Sequence, residues 1–398
     1  MNRILSIKND QDLRKELEKI KVSTQGIDAM FKKGRTLCIK LKNIKIGAAN
    51  IIKQDMLSIG GDAAVARGVV NGKVDKSDVI IFGDEKRIKL LLKKISYQDI
   101  FGIPKIIKEI KKLLKFRNQP QSFIKVRGKE LSLKQTLIMG ILNVTPDSFF
   151  DGGKYEKLDR AKKRIDKMVS EGAHIIDIGG ESTRPFAEKV SMDEELNRVI
   201  PVIKAAKERC DLPVSIDTYK AEVAKEALDA GADIVNDISG LRFDENMAEV
   251  VAAYDDVPII IMHIQGTPRN MQKNPSYEDV IEDIYSYFQD RIKFARQYGV
   301  KEENIILDPG IGFGKTLEHN VEIINRISEF HSLGRPILLG CSNKSYLENI
   351  LGVEKEERLP GTMATNALAI MQDVQIIRVH QIKENKMLAQ TLNYIRSR

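Results

Sequence analysis

The chain lacks the marks of a secreted or membrane-spanning protein. No apolar run approaches the ~18 residues that crossing a bilayer requires, and no membrane partner is expected. The start, MNRILSIKNDQDLRKELEK, becomes charged too early to read as a secretory signal. Cysteine is scarce: Cys38, Cys210 and Cys341 stand far apart, with no CxxC pair and no histidine at ligand spacing. That excludes a disulfide framework or a zinc site and points to a reducing cytoplasm. Aromatic residues make up only 6% of the chain, and neither a recognition-helix signature nor RNP-type aromatics occur, which argues against nucleic acid as a partner.

What is present is an ordinary soluble composition, 42% hydrophobic and 30% charged over 398 residues, enough for two or three domains. The net charge of +8 hides an asymmetry. Residues 1–130 carry 30 Lys and Arg against 14 Asp and Glu, whereas residues 131–398 carry 34 against 42. The division predicts a small basic α/β domain over 1–116, a linker over 117–132 and a second domain over 133–398. In the first, ILSI, TLCIKLKNI and DVIIFGD read as strands, while DLRKELEKI, AANIIKQDMLSIG and EKRIKLLLKKI read as helices. Gly60-Gly61-Asp62 reads as a helix C-cap. IPKIIKEIKKLLKF (103–116) reads as an amphipathic helix with a solvated lysine face over an Ile/Leu stripe. Contact with an acidic partner is the alternative for that face. RNQPQSFIKVRGKE (117–130) reads as the linker, with a short hairpin able to close the bottom of the second domain. No function is assigned to the first domain.

From Thr136 the pattern changes. TLIMGILNVTPDSFFDGG is an apolar run of strand length that ends on Asn143 and breaks into a Pro- and Gly-punctuated polar loop. The same figure recurs in HIIDIGG, PVSIDT, DIVNDISG, PIIIMHIQG, NIILDPGIGFGK, PILLGCSNKS and QIIRVH, each followed by a helical segment. The helices are expected over 158–171, 192–210, 220–230, 246–254, 277–298 and 318–333, then as helical residues after 345 interrupted near Leu359-Pro360-Gly361 and resuming over 362–371, and over 383–395. Eight strand–helix units in about 260 residues match a closed (β/α)8 TIM barrel; an open doubly wound sheet is the alternative.

In such a barrel the C-terminal strand ends share one mouth. It would gather Asn143, Thr183, Arg184, Asp217, Asn236, His263, Asp308, Lys344, Ser345, Arg378 and His380. So many polar and ionisable groups at one end are hard to explain as packing, because burying unpaired charge is costly. Asp217, Asn236 and Asp308 suit a flat heterocycle with several N–H donors, and the cations with Asn143 and Thr183 suit a phosphate or diphosphate. Single motifs carry less. GIGFGKT (310–316) fails the P-loop pattern because Pro309 stands where the first glycine belongs, and fails GxGxxG because Lys315 takes the third glycine's place. It reads instead as a glycine-rich loop presenting Phe313 towards a ligand. Asp237 should face away from the mouth and read as structural. His263 has a backbone-bonded core histidine as its alternative, and His174, His319 and His331 read as inert.

The stretches MGILNVTPDSFFDGG, DIGGESTRP, SIDT, NDISG, DPGIGFGKT, GCSNKS and RVH together resemble the dihydropteroate synthases, within the wider pterin-binding barrel family, over about residues 136–381. The resemblance implies condensation of 6-hydroxymethyl-7,8-dihydropterin diphosphate with p-aminobenzoate, giving 7,8-dihydropteroate and diphosphate in folate synthesis. It further implies that Asp217, Asn236, Asp308 and Lys344 hold the pterin, with Met262 beneath it and Arg378 stacked on it. Asn143 would contribute to Mg²⁺ binding, and Thr183, Arg184, Arg378 and His380 would hold the diphosphate. Phe149, Pro185, Phe313, Lys344 and Ser345 would frame p-aminobenzoate, with Asp151 near the reacting carbon. Members are usually homodimers through barrel helices.

Three positions depart from the family's pattern. Phe186 stands where glycine usually follows STRP, Asn343 replaces the usual arginine before Lys344, and Gln381 follows RVH where aspartate is common. The first 130 residues lie outside the barrel core and resemble an extension carried by some clostridial-type members. The rival readings are a methyltetrahydrofolate–corrinoid methyltransferase and a non-catalytic pterin-binding protein. The first has no use for a diphosphate cluster, and no DxHxxG cobalamin signature occurs in residues 1–130.

Overall fold

Alternation of buried and exposed residues makes β1 (Thr36–Lys45) and β3 (Lys76–Asp84) one-faced strands, with Ile39, Leu41, Val79 and Ile81 turned inward. They belong to the first of two units, Met1–Lys115 and Phe116–Arg398, into which the chain divides in this computed structural model. The structure describes residues 5, 7, 10–30, 33–145, 154–182 and 189–396. The first unit runs α1 (Asp10–Lys19), α2 (Thr24–Met30), β1, α3 (Ile46–Ser58), β2 (Asp62–Val65), β3, α4 (Glu85–Ile95) and α5 (Ile103–Asn118). Its three antiparallel strands lie in the order β1-β3-β2. One sheet face packs on α3, α4 and α5 through residues such as Ile52, Met56, Ile88, Leu91, Ile106 and Ile110. Asp84 caps α4 by accepting from the Arg87 N–H at 2.8 Å, which satisfies one of the helix's orphan donors. The lysines of α4 and α5 stay on the exposed side. The Gly60-Gly61 turn caps α3 as expected, with Gly60 at φ +75° and the Gly61 N–H donating to Met56 O, and Asp62 opens the short strand β2. One feature differs from the sequence expectation: Leu5 and Ile7, the described residues of ILSI, belong to no strand.

The second unit opens with a hairpin, β4 (Phe123–Val126) and β5 (Lys129–Ser132), inside the segment expected as a linker. Eight parallel strands follow: β6 (Leu137–Asn143), β7 (Ile175–Gly179), β8 (Val214–Asp217), β9 (Ile234–Asp237), β10 (Ile259–Met262), β11 (Ile305–Asp308), β12 (Leu338–Leu339) and β13 (Ile376–Val379). They pair in chain order, β13 returns to β6, and a parallel bridge between Leu307 and Ile337 joins β11 to the β12 segment. The row is thereby closed into a (β/α)8 barrel. Its helices are α6 (Lys154–Ser170), α7 (Met192–Arg209), α8 (Ala221–Asp229), α9 (Met247–Ala252), α10 (Val280–Gln297), α11 (Leu317–Arg326), α12 (Ser345–Leu351), α13 (Leu359–Met371) and α14 (Ile382–Arg396).

Period-two alternation splits each strand between two cores. Outward residues such as Ile176, Ile216, Val235, Ile261, Leu307 and Ile377 pack against the helices. Inward residues at the strand starts, among them Ile175, Ile234, Ile260, Ile306, Leu338 and Ile376, meet Ile124 and Val126 of the hairpin and fill the bottom. Each such burial is worth about 1.5–3 kcal/mol. The hairpin tip is tied down by Arg127, whose N–H donates to Asp256 O and whose Nη2 donates to the carbonyls of Leu228 and Ala232 at 2.8 and 2.9 Å.

Helix ends depart most from expectation. The helix foreseen over 318–333 stops at Arg326 and continues as a 3₁₀ segment, Ile327–Leu333, closed by Gly334 at φ +72°. The helix foreseen from 362 begins at Leu359, because Pro360 falls in the first turn, where its missing N–H costs nothing.

Candidate active site

The register that fills the bottom with isoleucine brings polar side chains to the top. Asn143, Gly179, Asp217 and Asn236 lie side by side across β6 to β9, and Met262 pairs with Asp308 across β10 and β11. Glycine leaves room where these chains converge. A Cβ at Gly340 would lie 3.8 Å from Arg378 Cβ and 4.0 Å from Asp308 Oδ2, and one at Gly179 would lie 3.4 Å from Asp217 Cβ.

Arg378 is the hub. Its Nε donates to Asp177 Oδ2 at 2.6 Å and its Nη2 to Asp217 Oδ2 at 2.6 Å. Asp177 is fully buried, sits one inward step below Gly179 on β7, and also receives Nδ2 of Asn236 at 3.3 Å. One guanidinium therefore serves two carboxylates. Burial pushes the Asp217 carboxyl up, to about 7, against the pull of Arg378 and with the help of the Asp177 charge. Arg378 moves upward although burial opposes it, because Asp177 and Asp217 favour its charged form. Sequence reasoning missed Asp177. Its signal was a lone acid at an inward phase of an otherwise apolar strand.

Asp308 accepts from the Gly310 N–H at 2.8 Å through Oδ1, and burial pushes its carboxyl up against the charge of Lys344. Lys344, just before α12, donates to Ile311 O and lies 4.5 Å from the centre of the Phe313 ring, a cation–π contact. Burial pulls its ammonium down, to about 8, while Asp308 pulls the other way. Met262 is buried with Ile238, Ile264 and Met271, and Phe313, Tyr219 and Phe243 pack on that cluster. His380, at the end of β13, shares a 3.0 Å hydrogen bond between Nδ1 and Ser342 Oγ, and its carbonyl accepts from Arg164. Ser345 is the first residue of α12, adjacent to Lys344.

Asn143, Asp217, Asn236, Met262, Asp308, Phe313, Lys344 and Arg378 are thus brought to one end of the barrel. Phe149, Asp151, Thr183, Arg184, Pro185 and Phe186 lie outside the described residues. His263 is not a mouth group. It is buried, edge-on to Tyr287, with Nδ1 3.0 Å from the Lys315 amine. Asp237 turns away and accepts from the Ser239 and Leu241 N–H groups, both at 2.7 Å. Asn343 occupies a left-handed position at φ +57°, which asparagine tolerates well. Just outside the rim, Lys220 joins Glu181, Glu195 and the Val190 carbonyl in a largely buried charge cluster. Among the described residues no group of three His, Cys, Asp or Glu is arranged to hold a metal.

Buried carboxylates can pair with the N–H edge of a flat heterocycle, and a cation beside them can take an anionic substituent of the same molecule. The fold is that of a (β/α)8 enzyme, and such a rim suits a nitrogen heterocycle carrying an anion. Comparison with known proteins makes this specific. Residues 139–380 match the pterin-binding enzyme family. A dihydropteroate synthase of Clostridium beijerinckii is 49% identical over 274 residues, 68% of this chain and 99% of that one. A crystal structure of the dihydropteroate synthase of Clostridium difficile, determined in the presence of pteroic acid, is 51% identical, covers 66% of this chain and 97% of that one, and has a TM-score of 0.63. A probable bifunctional folylpolyglutamate synthase/dihydropteroate synthase of Halobacterium salinarum is 38% identical over 379 residues, 94% of this chain and 44% of its own. That match is too long to be confined to the barrel and takes in most of the first unit as well. The chain belongs to the pterin-binding enzymes and, within them, to the dihydropteroate synthases, transferases of folate biosynthesis.

Proposed function

We propose that the rim divides the condensation of 6-hydroxymethyl-7,8-dihydropterin diphosphate with p-aminobenzoate into two tasks, and that Arg378 links them. The observation that carries this reading is the placement of Arg378 between Asp177 and Asp217 with Asp308 close by. Asp217, Asn236 and Asp308 receive the N–H groups of the pterin, Met262 supplies an apolar floor, and the guanidinium covers the ring. Arg378 and His380, with Thr183 and Arg184, take the diphosphate. Lys344, Ser345 and Phe313 frame p-aminobenzoate, and the resemblance assigns Phe149 and Pro185 to the same frame and Asp151 to the reacting carbon.

The chemistry needs charge stabilisation more than a strong base. The bond from the pterin's methylene carbon to the diphosphate oxygen breaks, the oxygen keeps the electron pair, and the ring delocalises the resulting cation. The neutral arylamine nitrogen then attacks that carbon and loses a proton to form 7,8-dihydropteroate. Fixed cations aimed at the departing oxygen act without reorganising, the largest contribution in sites of this type. The donor set suits Mg²⁺ only if substrate phosphates and water supply most of its ligands, with the Asn143 amide oxygen as protein contribution. When bound, Mg²⁺ would neutralise leaving-group charge.

A homodimer is proposed through α12 to α14, where Ile350, Leu351, Leu368, Met371, Met387 and Ile395 are exposed on neighbouring helices. A cytoplasmic location agrees with three unpaired cysteines. Incubating the purified chain with both substrates and Mg²⁺ should release one diphosphate per dihydropteroate formed; absence of either product contradicts the reading. In single turnover the rate should not depend on the nucleophilicity of substituted arylamines, and a steep dependence would refute the dissociative order of events.

A further inference from the structure

The loop over residues 309–316 has the composition of a phosphate cradle, yet its lysine is buried. Lys315 is 3% exposed and points back beneath its own loop. Its Nζ donates to Phe313 O at 3.0 Å and His263 O at 3.3 Å, and lies 3.0 Å from His263 Nδ1. Two carbonyls and a ring nitrogen thus surround the amine, and burial pulls its pKa well down.

The rest of the loop is held just as completely. Gly310 O accepts from the Phe313 N–H, Ile311 O from Lys344, Gly312 O from Gln272, and Gly314 O from the Tyr277 hydroxyl. With Phe313 O on Lys315, five consecutive carbonyls have donors. The loop also lies directly on the strand end beside it, since a Cβ at Gly310 would come within 2.1 Å of His263 O and one at Gly314 within 2.6 Å of Gln265 O. Both glycines have positive φ, at +68° and +66°. What this backbone displays is the Phe313 ring, with the Lys344 amine over it.

We propose that Lys315 is a positioning residue for the arylamine: it fixes the Phe313 carbonyl to the His263 segment and thereby sets the ring that walls the p-aminobenzoate site beneath Lys344. The inference rests on the reading of Phe313 and Lys344 as the arylamine frame. Lys315→Met keeps the stem and removes the donors, leaving the Phe313 and His263 carbonyls without that partner. It should raise KM for p-aminobenzoate about tenfold or more, while KM for the dihydropterin diphosphate moves less than about threefold.

A double-mutant cycle separates positioning from general loosening. Phe313→Ala alone should raise the arylamine KM, and Lys315→Met should add nothing to it in that background. If the two effects multiply, or if Lys315→Met raises both KM values equally, the positioning proposal is overturned while the site reading stands. If Phe313→Ala leaves the arylamine KM unchanged, the site reading fails and the proposal falls with it. Should Lys315→Met not fold, Gln272→Ala removes the donor to the preceding carbonyl in the loop, that of Gly312. It should raise the same KM about threefold, again only when Phe313 is present; an increase that persists in Phe313→Ala also overturns the proposal.

Discussion

The two ends of the barrel are built by the same strands and do opposite work. At the bottom, Ile175, Ile234, Ile260, Ile306, Leu338 and Ile376 point inward and meet the hairpin residues Ile124 and Val126. One pleat higher, the inward positions on several of these strands become Asp177, Asn236, Met262, Asp308 and Arg378. The difference teaches where the stability that carries a buried charge network comes from. Asp177 and Asp217 share one guanidinium in a water-poor space, an arrangement that contributes little net stability and is expensive to break. The apolar plug beneath carries that cost.

The contrast can be broken at several points. Arg378→Ala should cut kcat/KM on the order of 10³-fold or more and also lower the melting temperature, because two carboxylates lose their cation. Steady-state kinetics with near-ultraviolet circular dichroism checks both. Ile260→Ala, at the plug, should cost about 2–5 kcal/mol of unfolding free energy with kcat/KM unchanged well below the transition; a denaturant titration measures it. Asp177→Asn keeps the shape but removes a charge behind Arg378. Its expected loss in kcat/KM is on the order of 10–100-fold, larger than its effect on stability.

The smallest effect is in pH. Lys344 is held near 8, below its unfolded value near 10.5, so its ammonium is present below about 8 and lost as pH rises through it. Activity should therefore fall above that point, and Lys344→Arg should abolish the fall. Between about 8 and 10.5 the unfolded chain holds a proton that the folded one has released, so this group makes stability rise with pH there. Asp217 has the opposite slope at lower pH. Its raised pKa leaves the folded chain holding the extra proton between about 4 and 7, so stability falls as pH rises through that window.

Much of this was legible in the sequence, because strand length and alternation are local. Each of the eight apolar runs contains a strand, and Asn143, Asp217, Asn236, Asp308 and Arg378 fall within the last two residues of theirs. What escaped was decided by partners distant in sequence. Asp177 is separated from Arg378 by 201 positions, and only barrel closure shows that its charge is compensated. Lys315 has the look of a solvated or phosphate-binding lysine until His263, 52 positions earlier, is placed beside it. The break at Ile327 and the start at Leu359 turn on cap geometry, which composition constrains weakly.

The comparison of the two ends is tested most directly by measuring dihydropterin diphosphate affinity and melting temperature side by side for Asp308→Asn and Ile260→Ala. Asp308→Asn can keep the bond from the Gly310 N–H while losing the charge. It should bind about 10–100-fold more weakly and melt as the parent does, whereas Ile260→Ala should bind as the parent does and melt earlier. Undiminished binding by Asp308→Asn, or lost binding by a folded Ile260→Ala, would contradict the assignment of chemistry to one end and stability to the other.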